Sequence, residues 1–283
     1  MTFREIFSNY TTALQTSYSK GEVSAITHII FNHFAGLSKS QLAVSGDKIP
    51  DTATAAALQE SLEKLLKHIP VQYITGEVWF YNLKFKVNDQ VLIPRPETEE
   101  LVEEAINFLK DTKGKTVLDI GTGSGCIPIS IKRNIPDAEI ISIDISLDAL
   151  QTAAENAATN NVTIDFKEMD FLDEEMHHTL PVFDIIISNP PYIPENDKAS
   201  LDKNVMLHEP HLALFVPQND PLLFYRKIFL FAKEHLAKRG KIFMEVHEEY
   251  AKETSAIFNG DNYLTEIKKD MQGKERMVIV SKR

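Results

Sequence analysis

Apolar positions recur at three- and four-residue steps through the first seventy residues. Phe3, Ile6, Phe7 and Tyr10 form one stripe, Ile26, Ile29, Ile30 and His33 a second, and Leu58, Leu62, Leu65 and Leu66 a third. Such spacing puts each set on one face of a helix. Breaks fall at Ser19-Lys20-Gly21, Gly36-Leu37-Ser38 and Ser45-Gly46-Asp47, and the last helix ends at His68-Ile69-Pro70. The pattern predicts a small N-terminal helical bundle over residues 1–72. From Tyr73 to Ile93 the period shortens toward two, with Val78, Phe80, Leu83, Phe85, Val87, Val91 and Ile93 arranged around Tyr81-Asn82. This predicts a β-hairpin, which together with the proline-rich stretch up to Pro96 makes a connector over residues 73–96.

Residues 97–283 alternate helix and strand. Strands are expected at 116–120, 140–144, 164–168, 183–188, 241–246, 263–268 and 277–281, with helices near 97–109, 126–133, 147–159, 221–238 and 248–258. Short β-branched strands separated by helices imply an α/β domain whose seven-stranded, mostly parallel sheet is covered on both faces. The last two strands are joined by a short turn near Gln272-Gly273, so that pair should be antiparallel and close one edge.

Composition excludes several classes. Apolar residues make up 43% and charged residues 25%, as in globular chains rather than disordered or coiled-coil ones. No apolar run approaches the roughly 20 residues of a membrane span, and the mixed polar start around Arg4 and Glu5 does not read as a secretory signal. The single cysteine, Cys126, allows no internal disulfide, which suits a reducing cytoplasm. Net charge is −11, and residues 1–75 contribute none of it, holding six basic and six acidic side chains. An acidic protein of this kind is not expected to bind nucleic acid directly.

The first strand of the α/β part runs into Asp119-Ile-Gly121-Thr-Gly123-Ser-Gly125-Cys126, followed by a helix. Glycines allow a sharp turn and close approach of a ligand, and the helix end beyond offers unpaired N–H groups. Asp144 ends the next strand, where a carboxylate can accept the hydroxyls of a ribose. Gly121, Thr122, Gly123, Ser124, Gly125 and Asp144 are therefore candidate cofactor residues. The spacing is not that of dinucleotide folds, and the acidic Asp119 disfavours a pyrophosphate; S-adenosylmethionine, a cation without phosphate, fits better. Asp170-Phe171 is placed to hold an adenine by its amine and its face.

The fourth strand ends in Asn189-Pro190-Pro191-Tyr192. Consecutive prolines fix φ and remove two donors, leaving a stiff segment with free carbonyls. If the Asn189 side-chain oxygen and the Pro190 carbonyl each accept one N–H of a planar NH₂ group, its nitrogen is oriented toward a sulfonium methyl and the developing charge is stabilised. Tyr192 can stack on the planar acceptor. Asn189, Pro190 and Tyr192 are the candidate catalytic residues, and the whole tetrapeptide is the candidate acceptor site. The histidines lack metal-ligand spacing, and no metal is expected. Cys126 reads as a small core residue, and Arg95 as an anchor for the connector through a carboxylate.

With Pro70–Glu77, Leu92–Glu99, Asp119–Cys126, Asn189–Ile193 and Glu209–Leu214, these motifs cover most of the chain, which resembles the HemK/PrmC type of protein-(glutamine-N5) methyltransferase. The resemblance implies a Rossmann-like class I S-adenosylmethionine-dependent methyltransferase domain over 97–283, and a helical domain at 1–72 that docks the protein substrate. It implies methylation of the glutamine in the Gly-Gly-Gln motif of peptide chain release factors by a cytoplasmic monomer. S-Adenosylmethionine would be held by Gly121 to Gly125, Asp144 and Phe171, with Asn189 shared between cofactor and glutamine. A ribosomal-protein glutamine is the nearest alternative substrate, and nucleic-acid adenine a more distant one. Pro221, His247 and Tyr250 depart from the family pattern, which has glycine, glycine and glutamine there.

Overall fold

Thr2, Ser19 and Ser38 each open a helix in the same way. Their hydroxyls accept the backbone N–H three residues on, while Glu5, Glu22 and Gln41 reach back to the cap residue's own N–H, a reciprocal capping box. These helices are α1 (Phe3–Leu14), α2 (Lys20–Ala35) and α3 (Lys39–Ser45). Asp51 caps α4 (Thr52–Leu66) through Thr54 N at 2.7 Å, and Pro70 precedes the short α5 (Val71–Thr75), which ends at Gly76 in the left-handed region. The core between them gathers Phe3, Tyr10, Leu14, Ile30, Phe31, Leu58 and Leu65, and the buried Tyr10 hydroxyl donates to the Leu58 carbonyl. On α2 the buried face is Val23, Thr27, Ile30 and Phe31, and Ile29 and His33 are exposed. The expected stripe is thus displaced by about one residue, a turn of ~100° that apolar periodicity cannot resolve in a helix with so many apolar residues.

The structure, a computed structural model, describes residues 1–112, 115–260 and 262–283. They divide into two compact units, 1–77 with 202–208, and 78–201 with 209–283.

Beyond α5, β1 (Glu77–Phe80) and β2 (Leu83–Lys86) pair through a two-residue turn in which Tyr81 and Asn82 both have positive φ. Such a turn matches the twist of the strands it joins. The strand pattern expected from Tyr73 is shorter at both ends, since residues 71–75 are helical and Val87–Ile93 is irregular. The second unit continues with α6 (Pro96–Lys110), β3 (Thr116–Ile120), α7 (Cys126–Asn134), β4 (Glu139–Asp144), α8 (Leu147–Thr159), β5 (Asp165–Glu168), β6 (Phe183–Ser188) and β7 (Ile193–Pro194). After α9 (Lys203–His208), which belongs to the first unit, come α10 (His211–Leu214), β8 (Phe215–Val216), α11 (Leu223–His235), β9 (Leu236–Glu245), α12 (Ala251–Ile257), β10 (Tyr263–Lys269) and β11 (Glu275–Lys282).

Seven strands form one sheet in the order β10-β11-β9-β6-β3-β4-β5. Pairing is parallel from β9 to β5 and antiparallel on both sides of β11; the short turn at Gln272-Gly273 requires this of β10 and β11. Alternation sends Val117, Ile185, Ile187 and Phe243 into one core and Leu118, Ile120, Ile186, Ile242 and Met244 into the other. On the sheet's two faces, α6 and α7 cover the former core, and α11 and α12 the latter. No helix among the described residues is long and apolar enough to cross a membrane.

Candidate cofactor and acceptor site

All the parallel strands end on the same side, and β3, β4 and β6 deliver the three predicted motifs there. After β3 the chain turns through Gly121, Gly123 and Gly125, with φ of 77°, 53° and 79°, a region that side chains with a Cβ rarely enter. Gly121 N and Thr122 N both donate to Ile143 O, at 2.9 and 3.1 Å, which ties the loop to β4. A Cβ on Gly125 would lie 2.9 Å from Ile129 Cδ1 and 3.1 Å from Ala153 Cβ, whereas Gly121 and Gly123 face open space.

Asp144 closes the loop from the end of β4. Its Oδ2 accepts Gly123 N and its Oδ1 accepts Ser146 N, each at 2.9 Å. Burial pushes this carboxyl up, against the pull of the N–H donors of Gly123, Ser146 and Ile145. Each oxygen retains a lone pair for a further donor such as a sugar hydroxyl. Asp170 Oδ1 accepts Leu172 N at 2.9 Å. The Phe171 ring is fixed by His177, stacked with centroids 4.9 Å apart, and by Phe231 edge-on, while His177 Nε2 is bonded to the Phe171 carbonyl at 2.8 Å.

These residues border a cavity of about 380 Å³. Gly121, Gly123, Asp144, Asp170 and Phe171 line one part, and Asn189, Pro190 and Pro191 another; Gln90–Leu92 and Pro210–Ala213 form further walls. Thr122, Ser124, Gly125 and Tyr192 do not border it. Thr122 and Ser124 are 5% and 2% exposed, so their hydroxyls belong to the loop's interior. Asp119 differs from expectation as well. Fully buried, it accepts the Ser142 hydroxyl at 2.6 Å, and Ser142 is also bonded to Thr122. Burial raises its pKa to about 7. Asp119 supports the loop from behind rather than facing a ligand, because Ile120, the next residue along the strand, takes the cavity position.

The acceptor segment is held from the opposite side. Asn189 Nδ2 donates to Thr98 Oγ1 at 3.2 Å, and Asn189 Oδ1 accepts no hydrogen bond among the described residues. The Tyr192 hydroxyl donates to Glu245 Oε1 at 3.2 Å. Burial pushes Glu245 above the usual carboxylate range, opposed by the Thr98 hydroxyl, the Arg276 charge and the Tyr192 hydroxyl. Burial also raises Cys126 to about 12, which leaves it a thiol. Among the described residues no three His, Cys, Asp or Glu side chains gather as metal ligands would.

Three supporting residues escaped sequence reasoning. Asn156 on α8 donates to Ser124 O and Lys86 O, both at 2.9 Å, and accepts Lys86 N at 2.6 Å, joining the glycine loop to β2. The available signal was an asparagine among alanines on a buried helix face. Glu209, 3% exposed, accepts Ile93 N at 3.2 Å and Arg95 Nη2 at 2.6 Å, so Arg95 does anchor the connector through a carboxylate. Glu245 is the third.

The release factor glutamine methyltransferase of Flavobacterium psychrophilum is 41% identical over 285 residues, spanning 98% of this chain and 99% of its own. That of Bacteroides thetaiotaomicron is 36% identical over 95% and 96% of the two chains. The chain belongs to the release factor glutamine methyltransferase family. Within it, residues 5–76 match the PrmC N-terminal domain and residues 101–213 the Methyltransferase small domain. Among solved structures, a methyltransferase from Pyrococcus furiosus superposes with a TM-score of 0.50 at 16% identity, covering 81% of this chain and 96% of that one. The catalytic domain of hMettl16 in complex with an RNA hairpin reaches 0.51 at 15% identity, over 71% and 76%. Both share the class I methyltransferase fold. As for departures from the family pattern, His247 has φ −65°, so a side chain fits there without strain, and its ring lies 6.1 Å from that of Tyr192.

Proposed function

We infer that this protein transfers a methyl group from S-adenosylmethionine to the side-chain amide nitrogen of the glutamine in the Gly-Gly-Gln motif of peptide chain release factors. The observation that carries the reading is Asn189. Its amide nitrogen is engaged by Thr98, and its oxygen, which takes no hydrogen bond among the described residues, lies beside a cavity that Asp144, Gly121 and Gly123 also line.

When bound, S-adenosylmethionine supplies an electrophilic methyl group on a sulfonium. Gly121 and Gly123 leave room for close backbone approach, Asp144 accepts the ribose hydroxyls with its remaining lone pairs, and Asp170 and Phe171 hold the adenine. Thr122, Ser124 and Gly125 give the loop its shape. Asn189 Oδ1 and the Pro190 carbonyl each accept one N–H of the glutamine amide, which turns the nitrogen toward the donor. As the bond forms, positive charge grows on that nitrogen, and these two acceptors stabilise it without reorganising. The extra proton of the product is acidic and leaves to water. Pro191 keeps the segment stiff, and Tyr192 anchors its far end by donating its hydroxyl to Glu245.

Residues 1–72 dock the release factor in this reading, 73–96 connect, and 97–283 carry the chemistry. A short Gly-Gly-Gln loop buries little area, so remote contacts must supply orienting energy. The protein works in the cytoplasm as a monomer and without nucleic acid, in keeping with its charge of −11. Transfer of labelled methyl from S-adenosylmethionine to a recombinant release factor, and to its Gly-Gly-Gln glutamine→Ala variant, tests the reading. Label is expected on the parent only, at the glutamine by mass spectrometry; label on the variant, or only on a ribosomal protein or nucleic acid, overturns it.

A further inference from the structure

An asparagine amide has two chemically opposite ends, and which end faces an NH₂ group decides whether it is held or repelled. The Asn189 amide is not free to choose. Its Nδ2 donates to Thr98 Oγ1 at 3.2 Å, and the Thr98 hydroxyl donates to Glu245 Oε2 at 2.6 Å. A threonine hydroxyl has one proton, and having given it to Glu245 it can only accept from Asn189. Both side-chain oxygens of Glu245 accept, one from the Thr98 hydroxyl and the other from the Tyr192 hydroxyl, so the direction of the whole chain is set at Glu245. Thr98 and Glu245 are each 2% exposed, which leaves water no access to replace either partner. The far oxygen of Glu245 takes the Tyr192 hydroxyl, and its backbone carbonyl accepts the Tyr225 hydroxyl at 3.1 Å. One buried carboxylate at the end of β9 thus holds both ends of Asn189–Tyr192.

We propose that Thr98 and Glu245 are positioning residues that form a hydrogen-bond relay, fixing the flip of the Asn189 amide so that its oxygen meets the acceptor glutamine. The relay rests on the reading of Asn189 as an acceptor-binding residue. Without the Thr98 hydroxyl the amide loses its reason to prefer one flip, and the inverted flip sets a donor against a donor.

Turnover on a release factor and calorimetric binding of S-adenosylhomocysteine, measured for Thr98→Val, Thr98→Ser, Asn189→Ala and the Thr98→Val/Asn189→Ala pair, test the proposal. Thr98→Val is expected to lower kcat roughly ten- to a hundredfold, with cofactor-product affinity within about threefold of the parent. Thr98→Ser, which keeps the hydroxyl, restores most of the turnover. In the Asn189→Ala background Thr98→Val costs nothing further, because the relay acts only through that amide. Thr98→Ala supplies the same readings should the valine variant fail to bind S-adenosylhomocysteine. Losses that add in the double variant, a serine variant as impaired as the valine one, or parental turnover in Thr98→Val while Asn189→Ala is impaired overturn the relay alone. Parental turnover in Asn189→Ala overturns the acceptor-site reading and the relay with it.

Discussion

At the scale of single residues, the acids of this chain divide by what surrounds them rather than by where they fall in a motif. Asp119 opens the glycine-loop motif and Asp144 ends the next strand beside it, yet of the two only Asp144 borders the cavity. Asp119 has pKa about 7 in the folded protein because burial disfavours its charge, against 3.8 as the ordinary value. The folded state therefore keeps this proton to higher pH than the unfolded state does. Its contribution to stability is fully present below about pH 4 and is lost as pH rises toward 7, on the order of a few kcal/mol. Asp119→Asn should remove that slope. Thermal midpoints measured from pH 4 to pH 8 should fall less steeply for the variant than for the parent, and parallel curves would show that Asp119 is ionised throughout. Sequence reasoning placed Asp119 beside the ligand because a motif records order along the chain and not the side to which a strand residue points. Phe171 and Asn189 do border the cavity, because Asn189 directly follows β6 and Phe171 lies three residues past β5, where the parallel sheet leaves room for a ligand.

At the scale of elements, Gly125 and Gly121 look alike in sequence and do different work. Gly125 stands where α7 begins and α8 passes, and a methyl group there would press on Ile129 and Ala153. Gly121 has the same left-handed backbone with open space around it. Gly125→Ala should combine backbone strain with overpacking and lose roughly 2–4 kcal/mol. Gly121→Ala should lose only about 1 kcal/mol of stability. Its larger effect is expected on S-adenosylhomocysteine affinity. Denaturant unfolding and calorimetry separate the two, and equal losses of stability would contradict the packing assigned to Gly125. The major strands were legible because continuous apolar runs between turns admit little else; β3 and β6 occupy the residues expected. The small parallel pair β7 and β8, and helices α9 and α10, were not. Two-residue strands and helices of four to six residues carry too few positions for any period to emerge.

For the molecule as a whole, the electrostatic division between a neutral first part and an acidic remainder has a counterpart in the packing. The buried residues of the first core all lie between Phe3 and Val71, and none of them enters the two cores that flank the seven-stranded sheet. Among the described residues, those lining the cavity run from Gln90 to Phe224. Stability of the first unit and cofactor affinity of the second should therefore be separable. Leu58 is fully buried in the first core, so Leu58→Ala should cost that unit about 2–5 kcal/mol. Native-state hydrogen exchange should then accelerate across α1, α2 and α4 while β3, β4 and β6 keep their protection, and S-adenosylhomocysteine should bind with unchanged affinity. Under the proposed docking role of the first unit, methylation of a release factor should fall over the same temperature range in which that unit loses protection. Acceleration of exchange throughout the chain, or a matching loss of cofactor affinity, would mean that the two units unfold as one.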